Sequence, residues 1–66
     1  MPLSCVVIAG LFWLQTANHD LIAVDHISAV EYHSFSTSFV IADDRRLFVP
    51  HSVTRVRRAL NSCRQG

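Results

Sequence analysis

The chain of 66 residues contains two glycines, two prolines, two cysteines and no lysine. A loop that cradles phosphate needs several glycines, so a nucleotide site of this kind is excluded in practice. Nucleic-acid-binding domains usually carry lysine and a larger net positive charge than the +1 of this chain. The sequence also lacks a nucleophile elbow and the length to shape a pocket, so we expect neither enzymatic activity nor a cofactor.

Charge is absent from the beginning of the chain, because no charged side chain occurs from Met1 to Asn18. The acids lie in the middle, and the bases, all of them arginine, lie between Arg45 and Arg64. Half of the residues are hydrophobic, a share that is too high for a disordered chain. It is also more than the small interior of a monomer of this length can bury. We therefore expect part of the apolar surface to meet another chain, with interface candidates Leu11, Phe12, Trp13 and Phe35.

The uncharged stretch from Leu3 to Leu14 resembles the apolar core of a signal peptide. It lacks a preceding Lys or Arg and a suitable cleavage site, and it is shorter than the roughly 20 residues of a membrane helix. The β-branched and aromatic residues from Cys5 to Leu14 instead predict a strand covered on two sides, with Gly10 at a bend or bulge. We expect a cytoplasmic protein without membrane contact.

Later segments predict further strands. Residues 21–24 and 27–32 fit one bent strand or two short ones, and residues 39–42 and 47–49 predict a hairpin with a polar link of four residues. Pro50 ends the last strand, and Ser52 stands where a helix N-cap is expected. The helical stripe is formed by Val53, Val56, Leu60 and Cys63.

These patterns together predict the α+β class in a single domain over residues 1–66. The architecture we expect is a small antiparallel sheet of four to five strands, followed by one C-terminal amphipathic helix. A core this small leaves a narrow margin of stability, so a disulfide, a metal or a partner subunit must be considered.

The histidines and cysteines raise the questions of a metal site and of a disulfide. No metal site is expected, because the ligand pairs of zinc sites are missing and the histidines are scattered at His19, His26, His33 and His51. Cys5 and Cys63 either form a bridge that closes a long loop or stay reduced and buried. Without a convincing export signal the sequence favours reduced thiols, and it leaves the question open.

Arginine is the most specific feature of the second half. A surface that binds phosphates or a partner protein is predicted for Arg45, Arg46, Arg55, Arg57 and Arg58. The alternative is a solvated helix face together with ion pairs to the acidic zone, within or between subunits.

From Asp25 onward, the run Asp-His-Ile-Ser-Ala-Val-Glu and the later run from Phe39 to Val56 resemble the short flagellar motility proteins of the FlbD/SwrD type. The resemblance covers residues 25–60 and implies an acidic strand start, a hairpin and a helix that starts with Ser-Val. It departs at the turn, where the family has Asn-Gly-Lys-Lys and this chain has Asp-Asp-Arg-Arg. The resemblance concerns architecture and implies no functional residue.

The function expected from these features is a non-enzymatic protein-binding module, as a homodimer, that regulates or inhibits a larger protein partner. Small accessory proteins of phages and mobile elements, including inhibitors of host defence, have this profile. The alternative expectation is a regulator that binds nucleic acid through the arginine-rich C-terminal helix.

Overall fold

The computed structural model describes residues 3–65, which form six strands and one helix. The strands make two antiparallel sheets of three strands each, with the orders β1-β2-β3 and β4-β5-β6. The elements are β1 (Ser4–Ile8), β2 (Leu11–Gln15), β3 (Leu21–Ala23), β4 (Ile27–Ser34), β5 (Thr37–Ala42), β6 (Arg45–Val49) and α1 (Val53–Gln65). The α+β class and the C-terminal helix are confirmed, but the prediction of one sheet with four to five strands is wrong.

The uncharged beginning of the chain is a hairpin and not the single covered strand predicted from its composition. Ala9 and Gly10 both have positive φ, at 53° and 80°, which is the geometry of a two-residue turn of type I′. Gly10 reaches this conformation without a steric penalty because it has no Cβ. The chain therefore reverses at the position where a bend was expected, and β1 and β2 pair with each other.

The next segment resolves the two alternatives left open for residues 21–32. β3 ends at Ala23, a short 3₁₀ turn covers Val24–His26, and β4 begins at Ile27. Val24 is buried within this turn, where its apolar side chain anchors the passage from one sheet to the other. Two separate strands are thus present, and each belongs to a different sheet.

The predicted second hairpin is present with a shorter turn. Asp43 and Asp44 have φ of 52° and 62° and form a two-residue turn, while Arg45 and Arg46 already belong to β6. Aspartate tolerates the left-handed region better than most residues, which explains why this pair occupies the turn.

The helix begins as the sequence predicted. The Ser52 hydroxyl accepts a hydrogen bond from the backbone N–H of Arg55 at 3.2 Å, and the Ser52 carbonyl accepts one from Val56 at 3.0 Å. The helix packs against β1 and β2 of the first sheet and against β4 of the second. The resulting core consists of Leu14, Ile22, Val24, Ile27, Val40, Ala42, Val49, Val56, Leu60 and Cys63.

The cysteines are joined, contrary to the reduced thiols that the sequence favoured. A disulfide links Cys5 of β1 to Cys63 near the end of α1, with 5.6 Å between the two Cα atoms. Cys63 is buried as expected, whereas Cys5 is exposed. The bridge therefore fastens the first strand to the last helix.

Candidate protein-interaction surfaces

The end of the first hairpin carries large apolar side chains that the core does not cover. We call this surface the hairpin tip, and its exposed fractions are 62% for Val7, 47% for Ile8, 53% for Leu11 and 38% for Phe12. Val7 pairs with Phe12, and Ile8 pairs with Leu11. Because neighbouring residues of a strand point to opposite faces, both faces of the tip are apolar.

Two of the four interface candidates lie at this tip, and two do not. Trp13 is half-buried in β2, between Val6 and Ala23, and its indole nitrogen is shielded from water without an acceptor among the residues that the structure describes. Phe35 is 87% exposed in the turn between β4 and β5, near the start of the helix. Leu11 and Phe12 are therefore the candidates that share a surface.

The five arginines predicted as one surface fall into two groups. Arg55 and Arg58 lie side by side on α1 and line a shallow groove with Ser62, and Arg57 is exposed on the same helix. Arg45 and Arg46 lie at the start of β6 and line clefts that contain no residue of the helix. The groove on α1 and the clefts along β6 share no residue, and a single binding surface made of all five arginines stays a prediction.

Arg46 belongs to a cluster that the sequence did not reveal. Its side chain forms an ion pair with Glu31 at 3.1 Å and lies over the ring of Phe39 at 5.7 Å. Phe39 also packs edge to face with Phe48 and His33, at centroid distances of 5.7 Å and 5.1 Å. Only the strand register predicts this cluster, because it places Glu31 of β4 beside Phe39 of β5 and Phe39 beside Phe48 of β6.

The histidines occupy different environments. His26 lies 3.0 Å from a carboxylate oxygen of Asp43, and His33 lies 2.8 Å from the hydroxyl of Thr37. Both are exposed, as is His19. Among residues 3–65, no three His, Cys, Asp or Glu side chains come together to hold a metal ion.

His51 departs from this pattern because it is buried at the junction of three elements. Its Nε2 accepts a hydrogen bond from the backbone N–H of Ala17 at 3.2 Å, and its carbonyl accepts one from the buried Ser38 hydroxyl at 2.8 Å. Nε2 as an acceptor requires the neutral ring. Burial lowers the pKa of His51, and the guanidinium of Arg55 lowers it further.

We expect protonation of His51 to destabilise the fold. Its pKa is below 6.5 in the folded chain and close to 6.5 when unfolded, so the free energy of unfolding should be unaffected by this group above that pH. As the pH falls below 6.5, the unfolded chain binds the proton first and stability decreases, until the folded pKa is passed. The melting temperature between pH 8 and 5 measures this loss.

The matched control is His51→Gln, which keeps a side-chain acceptor for Ala17 but does not titrate. The other three histidines are present in both proteins, so their contributions cancel in the comparison. Parallel pH profiles of the wild type and the variant would show that His51 has no such role.

Comparison with known proteins identifies no relative, since no protein-family model, curated protein or solved structure matches the chain. The resemblance to the FlbD/SwrD type therefore stays a prediction. In the described part of the chain, no helix has the length and apolar character that a membrane span requires. The exposed hairpin tip and the arginines of α1 are the features on which a function can be based.

Proposed function

We propose that this protein is a non-enzymatic protein-binding module that acts as a homodimer and regulates or inhibits a larger partner. The observation that supports this most directly is the hairpin tip, where four large apolar side chains are exposed in a segment without charge. Small soluble domains rarely leave apolar side chains clustered in this way unless another molecule covers them.

The geometry of the tip suits pairing with a second copy. A two-fold axis brings identical surfaces together, so an apolar patch without charge is complementary to itself. β1 is also an edge strand of its sheet, since only β2 pairs with it among the described residues. Its segment from Ser4 to Ile8 has none of the lysine, proline or charge with which natural edge strands avoid pairing.

The test is the oligomeric state of a variant that places a charge on the tip. We expect sedimentation velocity at tens of micromolar to show a dimer for the wild type and a monomer for Leu11→Lys, because a lysine at the centre of the contact cannot be desolvated without cost. Leu11 is exposed, so this substitution should leave the fold intact.

The control is Tyr32→Lys, which changes an exposed aromatic side chain on the other sheet and should leave the dimer intact. A monomeric wild type, or a dimer that Tyr32→Lys disrupts and Leu11→Lys does not, would contradict the proposal. The larger partner can be sought by affinity capture with the wild type and Leu11→Lys in parallel.

A second candidate is the binding of nucleic acid through α1. The helix exposes Arg55, Arg57 and Arg58 and contains no acid, so these charges lack a neutralising neighbour on the helix itself. Binding of labelled DNA or RNA at low salt, weakened by Arg55→Ala with Arg58→Ala, would favour this candidate over the first.

The cytoplasmic location expected from the sequence is part of the proposal, and the disulfide bears on it. Disulfides persist in oxidising compartments and are rare in the cytosol. Alkylation of free thiols in intact host cells, before lysis, measures whether Cys5 and Cys63 are joined where the protein works. Complete alkylation of both cysteines would agree with the cytoplasm. Complete resistance to alkylation, because the cysteines are joined, would place the protein outside it.

A further inference from the structure

A groove runs between the free edges of the two sheets. One part is a cleft of about 390 Å³ lined by residues 20–22 and 46–49, and an adjoining cleft of about 220 Å³ includes residues 21–23 and Arg45. The two clefts share Leu21, Ile22 and Leu47, so they form one depression, which we call the seam groove. Its first cleft lies within the size range of ligand pockets, about 300 to 1,000 Å³.

The groove follows strand edges and not sheet faces. Consecutive residues of a strand point to opposite faces, so a cleft lined by the consecutive residues 46–49 must run along the edge of β6. The same holds for residues 21–23 and the edge of β3. Within the described chain, β3 pairs only with β2, and β6 pairs only with β5.

The turns show which backbone groups face the groove. In a two-residue hairpin the residues beside the turn form a hydrogen-bonded pair, and the pairs then alternate. Ala42 and Arg45 are therefore bonded, and so the N–H and C=O groups of Arg46 and Phe48 point away from β5. By the same alternation Leu21 and Ala23 present their groups away from β2. The free edge of β6 thus offers strand-pairing positions to the groove.

Trp13 adds a further unsatisfied donor beside the groove. It lines the second cleft, and its indole N–H has no acceptor among the residues that the structure describes. A tryptophan N–H that is removed from water usually finds an acceptor. A peptide backbone in the groove would bring carbonyl groups to this wall.

The charges of the groove are placed at its two ends. Asp20 lies at the end lined by Val49, and Arg45 lies at the end lined by Ala23. Neither forms an ion pair in the described chain, whereas Arg46 pairs with Glu31 and Asp43 lies within hydrogen-bonding distance of His26. Leu21, Ile22 and Leu47 line both clefts, so the middle of the groove is apolar, with an unpaired acid at one end and an unpaired base at the other.

We propose that the seam groove binds an extended segment of a partner protein, which adds to the free edge of β6 as an antiparallel strand. β6 runs from Arg45 to Val49, so antiparallel pairing places the N-terminal end of such a segment near Asp20 and its C-terminal end near Arg45. The segment therefore has a basic residue, a short alternating apolar stretch and an acidic residue, in that order. This site is separate from the hairpin tip, so each proposal can fail while the other stands.

The probe is a synthetic peptide, KVTVTE, acetylated and amidated so that its termini carry no charge. Trp13 is the sole tryptophan and lies at the groove, so its emission reports on binding directly. We expect a saturable change in Trp13 emission with KVTVTE, and about fivefold weaker binding of the charge-reversed peptide EVTVTK. The variant Arg45→Glu should remove the preference for KVTVTE.

A pair of variants at Phe48 separates backbone pairing from side-chain contact. Phe48→Ala and Phe48→Pro both delete the ring, but only proline also deletes the N–H that points into the groove. That N–H is not part of the β5–β6 ladder, and edge strands tolerate proline. We expect Phe48→Pro to bind KVTVTE at least about tenfold more weakly than Phe48→Ala.

Four outcomes would overturn the proposal. They are no emission change up to millimolar peptide, equal binding of KVTVTE and EVTVTK, equal binding by the two Phe48 variants, or Trp13 emission that depends on protein concentration alone. The last, if it persists in the Leu11→Lys variant, would show that a second copy occupies the groove. If Phe48→Pro does not fold, as judged by circular dichroism, the comparison of the two peptides on wild type and Arg45→Glu still decides.

Discussion

Loss of the Cys5–Cys63 disulfide is expected to lower the free energy of unfolding by about 4 kcal/mol, because the bridge closes a loop with a sequence separation of 58 residues. The closed loop restricts the unfolded chain, so its removal stabilises the unfolded state more than it disturbs the folded one. A domain of this size has a core that supplies only about 3 to 5 kcal/mol. Reduction should therefore unfold much of the monomer at room temperature, so that a chain with reduced thiols would depend on its bound partner to stay folded.

Urea unfolding with and without a thiol reductant measures this effect. The variant that combines Cys5→Ser with Cys63→Ser should match the reduced wild type and should not respond to the reductant. The number of thiols in unfolded, unreduced protein provides an independent check on the bridge. Two reactive thiols per chain, or an unchanged urea midpoint on reduction, would contradict the prediction.

Replacement of Leu14 by alanine is expected to lower the free energy of unfolding by about 3 kcal/mol. Leu14 has none of its surface exposed and belongs to the core cluster that includes Ile22, Val40 and Val56. Truncation removes buried methyl groups and leaves a cavity, and both effects destabilise the fold. In so small a core few other contacts can compensate for the loss.

The matched control is Leu11→Ala, three residues earlier on the same strand. In the monomer Leu11 has half of its surface exposed at the hairpin tip, so its truncation should change the free energy of unfolding of the monomer by less than about 0.5 kcal/mol. Thermal unfolding of both variants, measured with the disulfide intact and at a protein concentration below that of dimer formation, compares the two positions. A similar loss at Leu11 and Leu14 under these conditions would mean that Leu14 is not in the core.

The loss of the disulfide and the truncation of Leu14 have large effects because the free energy of unfolding of so small a domain is low. The disulfide holds β1 against α1, and Leu14 packs on the same side of the sheet as Cys5, which is its partner in the strand register. A chain that lacks both should not fold. The side chains of the hairpin tip are exposed and contribute little to the stability of the monomer. They therefore remain available for a partner.

Much of the second half could be predicted from residue order. The helix from Val53 follows from its apolar spacing and from Ser52, whose hydroxyl caps the first turn. The hairpin around Asp43 and Asp44 follows from two β-rich runs with polar residues between them. These features depend on contacts between residues close in sequence, and such contacts leave a periodic pattern.

The candidate site was predicted only in part. Leu11 and Phe12 were named because they belong to an apolar stretch, but composition could not show that Ala9 and Gly10 reverse the chain and expose them. The arginines were treated as one group, although the fold separates Arg45 from Arg55 by placing one on β6 and the other on α1. Nothing in the sequence indicated that His51 would be buried.

The α+β class and the C-terminal helix followed from the order of residues, because local spacing sets which face of each element is apolar. The division into two sheets, the joining of Cys5 to Cys63 and the groove between β3 and β6 depend on residues that lie far apart in the chain. Long-range packing chooses among arrangements that bury the same apolar faces, and local sequence patterns are equally compatible with several of them.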